Sequence, residues 1–330
     1  MKRHSLLMVF AFFVQMAISQ ELPAELQKAV EADRYLRVMF YNCENFFDID
    51  DNPLTNDDEF TPDGEKHWTK QRFYTKRAQV SKVIASVGGW NPPDIVGLSE
   101  IESRFVMESL VNQSELRRLG YSFLHKESPD GRGIDVAMLY QPKRFKPFNV
   151  KFIPVNVQKS GRGTRDILMA SGTTIDGDTL HVFVNHWPSR WGGQMESDEL
   201  RRAVASIVRV KVDSLLNENP RSAVVIMGDL NDYPDNNSVC VDLNAKTDFT
   251  DIQQSQLYNL AYYMQFVKSM GTHKYDGLWG ILDQMIITGS LLDGNGPLYT
   301  TKDDAHVFNP PFLLEPDETN VGFKPYRTYA

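Results

Sequence analysis

A chain of 330 residues, 42 % of them hydrophobic, can bury a substantial core as one large α/β domain or two small ones; no tandem repeat or low-complexity linker requires a second. Its 35 basic and 43 acidic residues, net charge −8, argue against a broad basic groove that tracks nucleic acid, though a metal and a few arginines can still handle a phosphate locally. Only Cys43 and Cys240 are present; an exported chain can pair them, but Cys43 reads more simply as a small core residue at a buried strand end.

In chain order, Lys2 and Arg3, the apolar stretch Leu6 to Val14 and the small residues at Ala17-Ile18-Ser19 spell a cleavable secretory signal over 1–19. The chain is therefore expected to be exported, to the periplasm or the extracellular space. After its removal 33 basic residues face 43 acids, a net charge of −10. No second apolar run is long enough to span a bilayer, so no stable membrane insertion is expected. A lead-in over 20–34 precedes one domain over 35–330.

Arg37–Tyr41 predicts a strand ending in Asn42-Cys43-Glu44-Asn45. Phe73, Val80, Val83, Ile84 and Val87 recur at helical spacing and Gly88-Gly89 stops the run. Asp94–Leu98 predicts a second strand, ending at Ser99-Glu100-Ile101-Glu102, and strand, helix, strand implies a parallel pair with both polar ends on one edge. A helix near Arg104–Leu119 leads to an antiparallel pair, Tyr121–Leu124 and Ile134–Tyr140, around Ser128-Pro129-Asp130-Gly131. Asp166–Ser171 and Leu180–Asn185 predict strands around Asp176-Gly177-Asp178. Leu200, Ala203, Val204, Ile207, Val208 and Leu215 mark a long amphipathic helix with Glu196, Asp198 and Glu199 in its first turn. Ala223–Met227 and Ile281–Thr288 complete the predicted strands. The pattern predicts an α/β protein, a layered α/β sandwich of two packed mixed sheets flanked by helices.

Gly228-Asp229-Leu230-Asn231-Asp232 follows the apolar run Ala223–Met227 directly, so a carboxylate, a carboxamide and a second carboxylate stand at the C-terminal edge of a buried strand. Taken singly this is also how a strand ends in an Asx turn. Asn42, Glu44, Glu100, Asp229 and Asn231 all fall at predicted strand ends and all offer oxygen, the donor set of Mg2+ or Mn2+ rather than zinc. His186, in Asn185-His186-Trp187-Pro188-Ser189-Arg190, suits proton transfer or donation to a phosphate oxygen, with Ser189 and Arg190 on the same anion; a histidine between Asn and Trp-Pro is equally a packed loop residue. Arg165, in Gly161-Arg162-Gly163-Thr164-Arg165, is a further phosphate contact or part of a solvated loop. The segment Asp48 to Glu65 has the acidic spacing of a calcium loop, but Pro53 replaces the turn glycine, which favours a solvated acidic loop.

Together these blocks resemble the endonuclease/exonuclease/phosphatase superfamily from about Arg37 to Thr288, in the family's order. Tyr41-Asn42-Cys43-Glu44-Asn45 is similar to its first strand motif, and Gly97-Leu98-Ser99-Glu100 to the motif whose Glu binds metal. Gly133-Ile134-Asp135-Val136-Ala137 resembles the strand whose acid orients a histidine, which implies that Asp135 partners His186. Gly228-Asp229-Leu230-Asn231 is similar to the block contacting metal, nucleophile and phosphate, and Leu282-Asp283-Gln284 to the strand whose Asp orients a second histidine. The resemblance implies metal on Glu100 aided by Asn42 and Glu44, water oriented or deprotonated by Asp229, Asn231 and His186 on phosphoryl oxygens, and Arg165 adding positive charge. The family's closing Ser-Asp-His triplet has no match here. His306, the only histidine after Asp283, stands in a different setting and does not take over the role. This implies a domain incomplete at its C-terminus and weak or absent turnover, testable against a version carrying the triplet. The expected function is metal-dependent phosphodiester hydrolysis by in-line attack of water, with nucleic acid as substrate and no protein partner. The alternatives are a phosphatase or lipid phosphodiesterase, and a phosphate-ligand binding protein with impaired catalysis.

Overall fold

The computed structural model describes residues 35–89, 91–156, 163–190 and 193–327. The predicted signal and lead-in, and Arg162, lie outside them. Among the described residues no helix is long and apolar enough to cross a membrane.

Two sheets form the centre. The first has the order β1-β2-β4-β3, built from β1 (Val38–Phe46), β2 (Ile95–Ile101), β3 (Ser122–His125) and β4 (Asp135–Tyr140). The strands β1 and β2 run parallel; β2 and β3 are antiparallel to β4. The second sheet has the order β5-β6-β7-β8-β13-β10-β9, from β5 (Phe145–Ile153), β6 (Ile167–Thr174), β7 (Thr179–His186), β8 (Ala223–Asp229), β9 (Ala245–Lys246), β10 (Leu257–Asn259) and β13 (Asp283–Thr288). Here β7–β8 and β9–β10 are parallel and the other pairs antiparallel. Two short hairpins, β11 (His273–Tyr275) with β12 (Leu278–Gly280) and β14 (Leu314–Pro316) with β15 (Phe323–Pro325), stand apart.

Helices cover the outer faces. On the first sheet, α1 (Lys70–Ser86) and α2 (Arg104–Gln113) bury Phe73, Val80, Val83, Ile84, Val106 and Leu110 against Val96, Leu98 and Leu139. Thr69 caps α1 by accepting from the Arg72 N–H, and Gly88 and Gly89, both at positive φ, end it as the sequence suggests. The predicted helix 104–119 divides, because Ser114 turns its hydroxyl back onto Leu116 N–H and starts a 3₁₀ turn over Glu115–Leu119. The long α3 (Gln194–Glu218) lays Val204, Ala205, Val208 and Val212 on the second sheet, against Phe183, Val224 and Ile226. The short α4 (Leu260–Phe266) follows β10. Between the sheets, a side chain at Gly97 of β2 would bring its Cβ within 2.7 Å of Met227 and 3.1 Å of Val184, so glycine permits the sheets' close approach there. The predicted layered α/β sandwich of two mixed sheets flanked by helices is the observed architecture.

Among the described residues seven strands have no counterpart in the sequence reading, β5, β9, β10, β11, β12, β14 and β15, and all but β5 are two or three residues long. β5 pairs only with β6 at the sheet edge, and Pro147 stands at a register shift where its missing N–H costs no ladder bond. Only its end residues Phe145 and Ile153 are buried and Phe148 to Lys151 are all exposed, so no alternation marks it.

The acidic loop is also more folded than expected. Phe60 stacks on Phe47 at 4.2 Å, Trp68 donates its indole N–H to Phe47 O at 3.0 Å, and Asp57 is buried. Glu102, just past β2, accepts from Asp48 N–H at 2.5 Å, and burial, then the Asp48 carboxylate, push its pKa up to about 9. A carboxyl whose pKa is raised on folding adds stability below its unfolded value near 4.5 and loses that contribution as pH rises through about 9. Glu102→Gln is therefore expected to flatten the fall in melting temperature between pH 5 and 9 and to raise stability at pH 8 by roughly 1–2 kcal/mol. Thermal melts of both proteins across that range check it.

Candidate active site

The site forms where the polar ends of the two sheets meet. In the second sheet, the parallel register of β7 and β8 sets His186 opposite Asp229, and the antiparallel register of β8 and β13 sets Asp283 opposite Asp229. Gly228 allows this pairing, since a Cβ there would lie 2.3 Å from the Asn185 carbonyl oxygen. In the first sheet β1 and β2 lose register between Asn42 and Phe46, against a single intervening residue, Glu100. Glu44, Asn45 and Glu100 have φ of 52°, 60° and 59°, and Asn231 beyond β8 has 50°. Left-handed backbone is costly for such residues, and here it gathers at one place and turns side chains inward from the strand ends.

The expected acids do converge. Glu100, Asp229 and His186 each present one ligand atom, all within 4.8 Å of one another. His186 Nε2 lies 3.8 Å from Glu100 Oε1 and 4.0 Å from Asp229 Oδ2. Asn42 sits between the carboxylates, its amide donating to Glu100 Oε1 at 3.2 Å and Asp229 Oδ2 at 3.0 Å. Its own oxygen accepts from Glu44 N–H at 2.8 Å, so Asn42 turns its amide nitrogen, not its oxygen, toward the two acids. Glu100 Oε2 also accepts from Asn45 N–H at 2.7 Å, and Asp229 Oδ1 from Asn231 N–H at 2.9 Å. These donors fix the carboxylates with one another across the two sheets.

Glu44 stands apart from this triad. Its carboxylate is 3.6 Å from Arg327, and its backbone oxygen accepts from Lys76 Nζ at 2.5 Å, a fully buried lysine whose pKa burial lowers to about 8. Asn231 gives its amide to Trp187 O at 3.0 Å and lines the cavity. Ser189 is exposed and lies outside that lining.

Asp135 and His186, expected as partners, are not paired. Asp135 Oδ2 meets His125 Nε2 at 3.2 Å and Oδ1 accepts from Ser128 N–H at 2.8 Å, because β3 and β4 pair side by side and bring His125 to it. His186 Nδ1 is buried with no hydrogen-bond partner among the described residues. Burial, then the Arg165 and Arg132 guanidiniums, hold His186 well below its usual pKa, so the imidazole is neutral and Nε2 can offer a lone pair. Asp283 Oδ1 is likewise buried without a partner, and burial, then Asp229, raise its pKa well above the carboxylate range. Asp229, facing it, is pushed up mainly by burial to about 6, so the more strongly raised Asp283 is the acid of the pair that favours a proton.

Arg165 and Arg190, expected on phosphate, have their donors committed to protein. Arg165 is buried, with Nε donating to His186 O at 3.2 Å, Nη1 to Asp130 Oδ2 at 2.9 Å and Nη2 to Trp187 O at 2.5 Å. Arg190 donates to Asn231 O at 2.7 Å and Asn236 Oδ1 at 3.0 Å, reaches Asp232 Oδ1 at 3.4 Å, and stacks over Tyr233. Both arginines shape loops that end the β7 and β8 strands. The sequence reading missed Arg132, which lines the cavity beside Glu100 and Asp229; its only local signal was its place in the Ser128–Gly133 turn.

That cavity, about 810 Å³, runs from Asn42, Glu100, Asp229 and Asn231 past β1 and β13 toward the hairpin β11–β12. Two carboxylates and one neutral imidazole suit a divalent cation, with carboxylate favouring Mg2+ or Mn2+ and imidazole leaning toward the softer ion. Since Asp229 must be ionised to serve, protons compete below pH 6. A raised carboxyl pKa stabilises the metal-free fold at low pH and loses that contribution as pH rises through about 6; a bound cation would then compensate the buried charge. The rise in melting temperature produced by 1 mM Mn2+ is accordingly expected to be several-fold larger at pH 7.5 than at pH 5 (on the order of magnitude of a one-proton linkage).

Comparison with known proteins follows the same lines. Among solved structures, the chain is similar to a mannosyl-6-phosphatase of Bacteroides thetaiotaomicron, with TM-score 0.52 and 15% identity, covering 77% of this chain and 85% of that one. It is similar to a humanized TDP2 of D. rerio, with TM-score 0.49 and 15% identity over 79% of this chain and 86% of that one. The human Nocturnin catalytic domain with bound sulfate gives TM-score 0.47 and 16% identity over 64% and 75%. No curated protein sequence matches the chain. The sequence profile of one family, described as Endonuclease/Exonuclease/phosphatase family, matches residues 37–330. With strand-end acids of both sheets meeting in that family's sandwich, the chain belongs to the Endonuclease/Exonuclease/phosphatase family.

Proposed function

We propose that the protein is a divalent-cation-dependent phosphodiesterase that cleaves nucleic acid by in-line attack of water. The observation that carries this reading is the convergence of Glu100, Asp229 and His186 within 4.8 Å, with Glu100 and Asp229 lining a cavity. Family membership supports phosphoric ester hydrolysis in general; cation dependence, nucleic acid and export are the finer parts of the reading.

Glu100, Asp229 and His186 would hold the cation, Mg2+ or Mn2+, with Asn42 bracing both carboxylates. When bound, such an ion neutralises charge that builds on the phosphoryl oxygens. Asp229, ionised at neutral pH, orients the attacking water and accepts its proton. Asp283, raised by burial and then by Asp229, favours its protonated form and so disfavours a second negative charge beside Asp229. Asn231 is pinned by Trp187 O and Asp229 Oδ1, which leaves its second amide hydrogen for a phosphoryl oxygen. Buried Trp187 and the packed β7 and β8 strands hold this geometry rigid and dry.

One observation favours a second reading, a phosphatase acting on a small phosphoester. The cavity lining carries Glu44, Glu100, Asp229, Asp283 and Asp304 against two basic residues, Arg132 and Arg327, whereas a long polyanion is normally tracked by a row of cations. Cleavage of plasmid DNA in magnesium and in chelator tests the first reading, and phosphate release from p-nitrophenyl phosphate the second. Silence in both, with inorganic phosphate still bound, leaves a phosphate-binding protein. Export rests on residues 2–19, and the N-terminal sequence of protein recovered from medium or periplasm tests it.

A further inference from the structure

An enzyme of phosphoric esters needs a cation side chain for the non-bridging oxygens as well as a metal site, and the two arginines that the sequence suggested are committed elsewhere. We propose that Arg132 is the residue that grips the substrate's phosphate, held in place by a relay from Arg165 through Asp130. The inference deepens the phosphoester reading of the same site and rests on it.

The turn that carries Arg132 is built rigidly. Gly133 has φ of 74°, a conformation that favours glycine, and its N–H donates to Asp130 O at 3.0 Å. Gly131 O accepts from Asn56 N–H at 2.8 Å, and Asp130 bridges to Gly163 on the segment leading to β6. Asp130 is buried and works in two directions. Its Oδ2 accepts from Arg165 Nη1 at 2.9 Å, while its Oδ1 accepts from Arg132 N–H at 3.0 Å and lies 3.7 Å from Arg132 Nε. Arg165 in turn carries His186 O and Trp187 O, so one chain of contacts ties Arg132 to the strand end bearing His186.

Among the described residues the one ion pair of Arg132 is that of Nε with Asp130 Oδ1 at 3.7 Å. Among the described residues its guanidinium makes no hydrogen bond, and the side chain is 47% exposed where it lines the cavity with Glu100 and Asp229. Arg327, the other basic lining residue, is engaged with Glu44 at 3.6 Å. A planar guanidinium tethered through Nε presents two terminal nitrogens, the fork that matches two oxygens of one phosphate. Glu100 and Asp229, which with His186 would hold a cation, line the same cavity as this fork. The inference extends to any ester that leaves two free oxygens on the reacting phosphorus, diester or monoester alike.

The test measures binding of inorganic phosphate to the full chain by calorimetry with saturating Mn2+, beside steady-state hydrolysis. Arg132→Gln is expected to weaken phosphate binding and kcat/KM on the order of 10- to 100-fold, with Arg132→Lys between it and the parent because the lysine keeps charge but loses the fork. Mn2+ affinity should stay within about two-fold and the melting temperature within about 2 °C, since the half-exposed side chain supports no packing. Phosphate binding that is absent in the parent, or unchanged within two-fold in Arg132→Gln, overturns the assignment. If hydrolysis is absent while phosphate binding falls with Arg132→Gln, the catalytic reading fails and Arg132 keeps its role; active protein indifferent to Arg132→Gln reverses that outcome.

Discussion

Asp229→Asn should cut Mn2+ affinity by at least about 100-fold and hydrolysis on the order of 10³-fold, while leaving the metal-free protein as stable as the parent or more so. The two effects have one cause. Asp229 is the acid shared by every other group in the site, meeting His186, Asn42, Asn231 and Asp283, and it is nearly fully buried among them. An amide can still accept from Asn231 N–H, yet it brings no charge to a cation and accepts no proton from water. Replacing a carboxylate that burial already disfavours, next to Glu100 and Asp283, also removes a cost to folding at pH 7. A purely structural role for Asp229 predicts the reverse pattern, loss of stability with residual cation binding. Calorimetric titration with Mn2+ and thermal melts in chelator separate the two.

Arg165→Met should destabilise the fold by about 3–5 kcal/mol, the range for breaking one partner out of a buried ion pair. At roughly 2–4 °C per kcal/mol for a chain of this size class, the melting temperature falls by about 6–20 °C. Arg165 is 6% exposed and carries Asp130 together with the carbonyls of His186 and Trp187, three acceptors that methionine leaves dry and unmet. Arg165→Lys retains the charge but reaches one acceptor at a time, so it should recover only part of the loss. A melting temperature for Arg165→Met within about 2 °C of the parent would show that the buried guanidinium is dispensable.

Both outcomes follow from contacts that differ in how visible they are along the chain. Asp229 could be singled out because its signal is local: five apolar residues make a strand that must be buried, and the first polar residue after it must stand at the sheet's edge. Glu100 and Asn42 are marked in the same way by β2 and β1. Helix α1 was equally legible, since its apolar spacing and the Gly88-Gly89 stop are both read within one stretch. The pairing of Asp135 was not. A carboxylate at a strand start accepts from whichever donor lies beside it, and β3 places His125 there, ten residues away in sequence, while His186 stands on the other sheet.

Amino-acid order by itself thus determined eight of the strands and the helices α1 to α3, the α/β sandwich class and the acids at the strand ends, because hydrophobic period and strand termination are properties of short segments. Tertiary structure decided the rest. It set His186 opposite Asp229 through the β7–β8 register, turned Asn42 into a donor between two carboxylates, and buried Arg165 and Arg190 in carbonyl and carboxylate contacts. It also left Arg132 facing the cavity. An arginine's role depends on which acceptors close around its five donors, and those acceptors arrive from segments far away in the chain, where no spacing rule reaches.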